Sequence, residues 1–390
     1  MNPERYKIVV VAACPFPYPR GTPIRILRMS ESLAARGHEV HVVTYHLGER
    51  LTGLPFSIHR IPNVPTYRKT SPGPAYQKVF VLDPLLAIKL LWVVRSQKPD
   101  IIHAHHYEGL LAGWFVSRLT GVPLVFDVHT LLSTELPLYS LGLPASFLKW
   151  LGRRLDQVLP HRADHIIAVT NTIREKLIRE IGISGDKVTT VYSGVEVGHF
   201  AQRLVDSPAA ASTLIYTGNL AAYQDVDALF RAFRLVLDRR PDTILKIVTE
   251  SPLDGLQPLI SSLRLQPNLR FERADYFNLP FALHTAMIAV NPRVDADGLP
   301  AKLLNYMATG RAIVSFEGSG EVLEHGKTAL LVPQGDEQGF ADAILKLLDD
   351  PELAGQLGRA AQAVVQEFFV WESMERIIED VYKKLLEKDP

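Results

Sequence analysis

Short runs of β-branched and aliphatic residues alternate along almost the whole chain with segments whose apolar positions recur every three or four residues. The series opens with Lys7 to Ala13, a continuous apolar run of the kind buried on both faces of a parallel sheet. A proline-rich loop follows, Pro15 to Pro23, and it contains Gly21. Ile26, Met29, Leu33 and Ala34 then predict a helix that stops at Gly37, and Val40 to Tyr45 predicts the next strand. Strand, helix, strand in this order is the repeating unit of a doubly wound sheet.

The same alternation predicts a helix near Leu85–Ser96, a strand at Asp100–Ala104, a helix at Gly109–Leu119 and a strand at Pro123–Asp127. His165–Val169 and Val188–Tyr192 read as the last strands of a first domain. After a run of small residues, Ser207 to Ser212, the pattern restarts. Thr213–Thr217 is a predicted strand, Val226–Leu237 a helix and Thr243–Thr249 a strand; segments at 281–286, 288–290, 303–308, 312–316 and 339–348 continue it. A last helix, Trp371 to Lys388, carries Met374, Ile377, Ile378, Val381 and Leu385 on one face. The expected class is therefore α/β, with two Rossmann-like parallel-sheet domains over 1–200 and 201–370 and a helix over 371–390. Ligands of such sheets sit at the carboxyl ends of the strands, so two of them imply a cleft.

Charge changes this picture by halves. The 390 residues hold 42 basic and 42 acidic side chains, but residues 1–200 carry an excess of eight positive charges and 201–390 an excess of eight negative ones. One cysteine, Cys14, excludes an intrachain disulfide and any multi-thiolate metal site, which points to the cytosol. The apolar stretch Ile8–Ala13 is too short for a secretory signal, and Val79–Val94, interrupted by Asp83, Pro84 and Lys89, is too short to span a bilayer.

Candidate chemistry begins with exclusions. The loop after the first strand lacks G-x-G-x-x-G, so a dinucleotide reading loses its main support, and no Walker A sequence exists. Gly21 at a helix start either serves the turn alone or lets backbone N–H groups receive a phosphate. His105 and His129 each fall where a predicted strand meets the cleft, while His103 and His106 read as structural. Without H-E-x-x-H spacing or a third ligand in view, no metal is expected.

Seven ordered segments carry a resemblance. They are Arg20–Arg25 with Leu33–Thr44, Pro99–His105, Arg162–Thr170, Val191–Phe200, Tyr216–Leu220, Gly298–Gly310 and Gly326–Val332. Together the chain resembles the GT-B fold glycosyltransferases of family 4, which are retaining and use nucleotide sugars. The resemblance implies two facing domains, acceptor in the first and donor in the second, with the Trp371 helix crossing back to domain one. It implies a glycosyltransferase that needs no metal or other cofactor and takes a nucleotide-diphosphate sugar as co-substrate. It also places Asp297 and Asn305 where family members carry a Glu-x7-Glu pair, one facing the transferred sugar and one the ribose. Asp297 keeps the charge on a shorter arm; Asn305 keeps only hydrogen-bonding capacity.

By the same resemblance Gly21, Gly218, Gly298, Leu299, Pro300 and Leu303 border the donor, Thr22 and His105 the acceptor, and His129 hydrogen-bonds near the sugar. Family members follow the first strand of domain two with Gly-Arg and, five residues on, a Lys. Here Asn219 and Gln224 stand at those positions, so both diphosphate cations are missing. Arg293 and Lys302, flanking Asp297, are the candidate replacements, because a leaving diphosphate needs its charge neutralised. A solvated surface cation is the alternative for each.

Acceptor and partners are less constrained. His59, Arg60, Arg68, Lys69 and Lys78 surround Phe56, Tyr67, Tyr76 and Phe80, and Leu136–Leu155 interleaves Phe147 and Trp150 with Lys149, Arg153 and Arg154. Such segments suit an anionic membrane surface, giving a peripheral protein with a glycan or lipid acceptor; an acceptor lid or core-packing helix is the alternative. No nucleic-acid-binding motif is present. Two other functions fit the same residues: a nucleotide-sugar 2-epimerase of the same fold, or a scaffold that binds nucleotide sugar without turnover.

Overall fold

The computed structural model describes residues 5–18, 21–70, 73, 75–139, 142–202, 212–294, 299–319 and 321–387. Its chain divides into two compact units, one comprising Met1–Ser193 with Trp371–Pro390 and the other Gly194–Val370. Asp297 and Gly298, and most of the 207–212 run, lie outside the described residues.

In the first unit the order is β1 (Lys7–Ala12), α1 (Gly21–Ala35), β2 (Glu39–Thr44), β3 (Ser57–Arg60), α2 (Asp83–Gln97), β4 (Ile101–His105), α3 (His106–Thr120) and β5 (Leu124–Val128). It continues through α4 (Leu132–Glu135), α5 (Ala145–Val158), β6 (His165–Ala168), α6 (Asn171–Arg179) and β7 (Val188–Thr190). The seven strands form one sheet in the order β3-β2-β1-β4-β5-β6-β7. Every pairing is parallel. The apolar run of β1 is buried because the sheet covers both of its edges and helices both of its faces: Val9 and Val11 pack with Leu86, Leu90, Leu110 and Val116.

The second unit holds α7 (Val197–Phe200), β8 (Thr213–Thr217), α8 (Val226–Arg239), β9 (Ile244–Val248), α9 (Gln257–Ser262), β10 (Leu269–Glu272) and α10 (Leu279–His284). Then come β11 (Ile288–Asn291), α11 (Ala301–Ala308), β12 (Ala312–Phe316), β13 (Leu330–Val332), α12 (Glu337–Asp349) and α13 (Pro351–Phe368). Its six strands run β10-β9-β8-β11-β12-β13, again all parallel. The last helix, α14 (Trp371–Leu386), packs on α1 of the first unit through the buried Met374, Ile378, Val381 and Tyr382.

Both sheets reverse strand order once, between β1 and β4 and between β8 and β11. A crevice opens at the carboxyl edge of such a reversal, so the segments after Ala12 and His105, and after Thr217 and Asn291, are where each unit can hold a ligand.

One expected surface is only partly a surface. Tyr67 is buried in the first unit's core. Arg60 donates to the carbonyls of Phe16 and Leu47 at 2.7 and 2.9 Å, and Lys78 pairs with Glu108. Arg60, Tyr67 and Lys78 therefore close this edge of the unit onto its own loops. Arg68, Lys69, Tyr76 and Phe80 remain outside.

Candidate functional site

At the carboxyl edge of the first sheet, β4 and β5 deliver three histidines and a carboxylate to one spot. His105 ends β4, Asp127 lies in β5 and His129 follows it by two residues. His105 Nδ1 lies 3.1 Å from His129 Nε2, and Thr22 Oγ1, in the first turn of α1, lies 3.4 Å from His129 Nδ1. The His106 ring stacks on His129 at 4.9 Å, although that residue was expected to be structural. His103, also expected to be structural, stacks on His105 at 4.7 Å and meets the Tyr382 hydroxyl of α14 at 2.6 Å.

Two residues that motif reading passed over hold this cluster. Asp127 is fully buried, and Arg25 of α1 donates to its Oδ2 from Nη2 at 3.0 Å and from Nε at 3.3 Å. The same guanidinium donates to the carbonyls of Val191 and Tyr192 at 2.9 and 2.8 Å. A lone Asp inside a five-residue buried strand was the available signal, since a buried charge needs a partner.

Burial pushes the Asp127 carboxyl up, but Arg25 and then His129 outweigh it and hold it well below the usual range. Burial drives His105 and His129 well below the ordinary imidazole value against the pull of Asp127. Both rings are thus neutral at pH 7 and act as hydrogen-bonding groups, with His129 the partly exposed one. His103, His105 and Asp127 offer ligand atoms within 4.8 Å of one another, so the fold supplies the third group that the sequence did not reveal. Arg25 already neutralises that carboxylate, and a divalent cation there would stand beside a guanidinium.

In the second unit the reversal gathers another set. Gly218 follows β8 with φ +125°, a backbone that side-chain-bearing residues rarely adopt, and a Cβ there would lie 3.8 Å from Lys302 Nζ. Lys302, in the first turn of α11, donates to Gln224 Oε1 at 2.5 Å and lies 4.1 Å from the Tyr216 ring centre. Asn219 accepts from the Tyr216 hydroxyl through its carbonyl at 2.6 Å and donates to the Tyr223 hydroxyl through its amide at 2.9 Å. Arg293 lies over the Tyr223 ring at 5.6 Å. Burial, followed by Arg293, lowers the Lys302 amine well below its ordinary value.

Gly218, Asn219, Gln224, Arg293 and Lys302 are thus brought together. Asn305 is half-buried one turn along α11 from Lys302, and Pro300 caps that helix beside a half-buried Leu299. Leu303 has its side chain wholly in the core and its amide bonded to Pro300 O at 2.9 Å, so it offers a ligand neither. Gly21 begins α1 at φ +43° with open space where a Cβ would stand, so a turn requirement accounts for it as it is.

Residues 19–199 match the family described as glycosyltransferase family 4, and residues 211–350 the one described as glycosyl transferases group 1. The chain belongs to the GT-B glycosyltransferases of family 4, and it is a glycosyltransferase. It is 27% identical to D-inositol 3-phosphate glycosyltransferase 2 of Catenulispora acidiphila, over 99% of this chain and 96% of that one. In fold it is similar to sucrose-phosphate synthase of Thermosynechococcus elongatus, with TM-score 0.84, 18% identity and coverage of 99% and 100%. It is also similar to HepE of Anabaena, solved in complex with UDP-glucose, with TM-score 0.73, 16% identity and coverage of 97% and 100%.

Proposed function

We propose that this glycosyltransferase moves a sugar from a nucleotide-diphosphate sugar to an acceptor hydroxyl on a lipid or lipid-linked glycan, with retention at the anomeric carbon. The observation that carries the donor half is the contact of Lys302 with Gln224. Family members keep a diphosphate cation at the Gln224 position, and here an amine arrives at that position from α11 instead. The departure from the family pattern thus has a local compensation, with Arg293 close enough to depress the same amine.

In the reaction the bond from the anomeric carbon to the phosphate oxygen breaks and a bond to the acceptor oxygen forms on the same face. The acceptor's proton passes to the departing diphosphate. Lys302 and Arg293 counter the charge that grows on that diphosphate, and Gly218, without a side chain, lets it approach. His129, neutral, has Nε2 on His105, and a sugar or acceptor hydroxyl that takes the place of Thr22 Oγ1 at its Nδ1, a contact of 3.4 Å, is oriented by hydrogen bonding. The family resemblance assigns Asp297 to the transferred sugar and Asn305 to the ribose.

Proton NMR of the purified chain with a panel of nucleotide sugars and lipid-linked or simple glycan acceptors tests this. The expected result is release of nucleoside diphosphate only when acceptor is present, with the product keeping the donor's anomeric configuration. Lys302→Ala is expected to lower kcat/KM about 100-fold, the scale of one lost charge-stabilising donor. Conversion of the donor sugar without acceptor would replace transfer by epimerisation. Binding without any turnover would leave a scaffold.

A further inference from the structure

Two neighbouring helices of the first unit turn apolar side chains outward in register. The helical run 76–97, which includes α2, presents Tyr76, Phe80, Pro84, Ile88 and Trp92, each four residues from the last and all exposed. The four large ones are 58–77% exposed. On α3, which packs against α2, Leu111, Phe115 and Leu119 repeat the four-residue step at 44–53% exposure. The opposite faces of both helices, with Leu86, Leu90, Leu110 and Val116, already fill the core, so the outward stripes contribute nothing to it. Large contiguous apolar surface of this kind marks an interaction site.

The charges on these helices are one-sided. Their only acids are Asp83, which accepts the Tyr45 hydroxyl, and Glu108, which pairs with Lys78. Lys89, Arg95 and Arg118 stand among or beside the stripes, and Lys89 lies 4.6 Å from the Trp92 ring centre. We infer that this α2–α3 face docks the enzyme on an anionic lipid bilayer, the aromatic and aliphatic stripes entering the headgroup boundary and the three cations meeting lipid phosphates. A second copy of the chain fits the face less well: a two-fold contact sets the same patch against itself, and these cations would meet one another with no acid between. The inference rests on the reading that the acceptor is carried by a lipid, which gives the docking its use.

Flotation of the full chain with vesicles tests it. At low salt the protein is expected to rise with phosphatidylcholine vesicles containing about 30 mol% phosphatidylglycerol, and at least about 10-fold less with phosphatidylcholine alone. The Ile88→Ser/Phe115→Ser pair and the Lys89→Gln/Arg95→Gln/Arg118→Gln set are each expected to reduce recovery about 10-fold at unchanged melting temperature, since all five residues are surface-facing or charged. Equal recovery with both vesicle types, or full recovery of the serine pair, overturns the inference. A wild-type dimer that the serine pair converts to monomer assigns the face to self-association instead. Transfer to a soluble acceptor, measured on the same proteins, is expected to be unchanged by either set. Flotation without transfer by the wild type would sink the proposed function and leave the docking face standing; transfer without flotation does the reverse.

Discussion

At the residue scale, the informative groups are those whose protonation the fold has moved. Burial and Arg293 lower the Lys302 amine, so part of it is neutral wherever the pH exceeds its lowered value. A diphosphate arriving beside it favours the charged form, so binding takes up protons and affinity falls as pH rises. Calorimetric titration with UDP in buffers of different ionisation enthalpy should show this uptake, and Lys302→Met should abolish it; buffer-independent heats for the wild type would remove Lys302 from the donor site. Histidines 105 and 129 behave in the opposite region. Their folded values lie well below the unfolded value near 6.5, so below about pH 6.5 the unfolded chain gains protons that the native state refuses. Stability is therefore full above that pH and is lost as pH falls, and His105→Gln should flatten the decline of melting temperature between about pH 7 and 5. That Gly218, Asn219, Gln224, Arg293 and Lys302 come together was legible through the family resemblance, whose motifs fix these positions relative to the first strand of the second domain and to Asp297. Arg25 and Asp127 were passed over because their partnership spans 102 residues of sequence and no local spacing announces it.

At the element scale, the apolar runs of β1, β4, β5, β8 and β12 were legible because both faces of these strands are buried and no polar residue interrupts the pattern at more than one or two points. The edge strands were not. Ser57–Arg60 is partly exposed throughout and Leu269–Glu272 has one buried residue, so neither shows a periodicity. Helix α13 escaped too: its buried face sets only Leu357 and Val365 among Ala354, Gly358 and Ala361, small residues that carry little hydrophobic signal. The contact of α14 with the histidine cluster is a related case, because it depends on one hydroxyl. Tyr382 is fully buried, and its OH meets His103 Nδ1 at 2.6 Å, 279 residues away. Tyr382→Phe keeps the ring and strands a buried imidazole nitrogen, so it should cost about 1–3 kcal/mol in chemical denaturation. A change confined to α14 should then also reach His129 through His105, seen as an altered KM for acceptor with the KM for donor unmoved. Loss of stability with both KM values unchanged would make Tyr382 a packing residue only.

At the scale of the whole molecule, a zero net charge is the sum of a basic half and an acidic half. The half assigned to an anionic donor is the acidic one, which leaves little room for long-range attraction and puts the burden on the local set of Gly218, Gln224, Arg293 and Lys302. All four belong to the unit Gly194–Val370, whose core is separate from that of the other unit. Two cores in one chain predict unfolding that departs from a single two-state transition. A ligand held by one unit then acts selectively: at about 100 times its dissociation constant, UDP should stabilise that unit by about 2.7 kcal/mol and leave the other's intrinsic stability unaltered. Hydrogen exchange followed by mass spectrometry can separate the two. Saturating UDP is expected to slow exchange in the segments after β8 and around α11, and to slow the whole of β8–β12 under mildly destabilising urea. Protection centred on the β4–α3 and β5–α4 segments instead would move the nucleotide to the histidine cluster and reverse the donor and acceptor assignments of the two units. Because the acidic unit offers no general electrostatic pull, the UDP affinity should depend only weakly on salt. A steep salt dependence would show that charges beyond the local set hold the diphosphate.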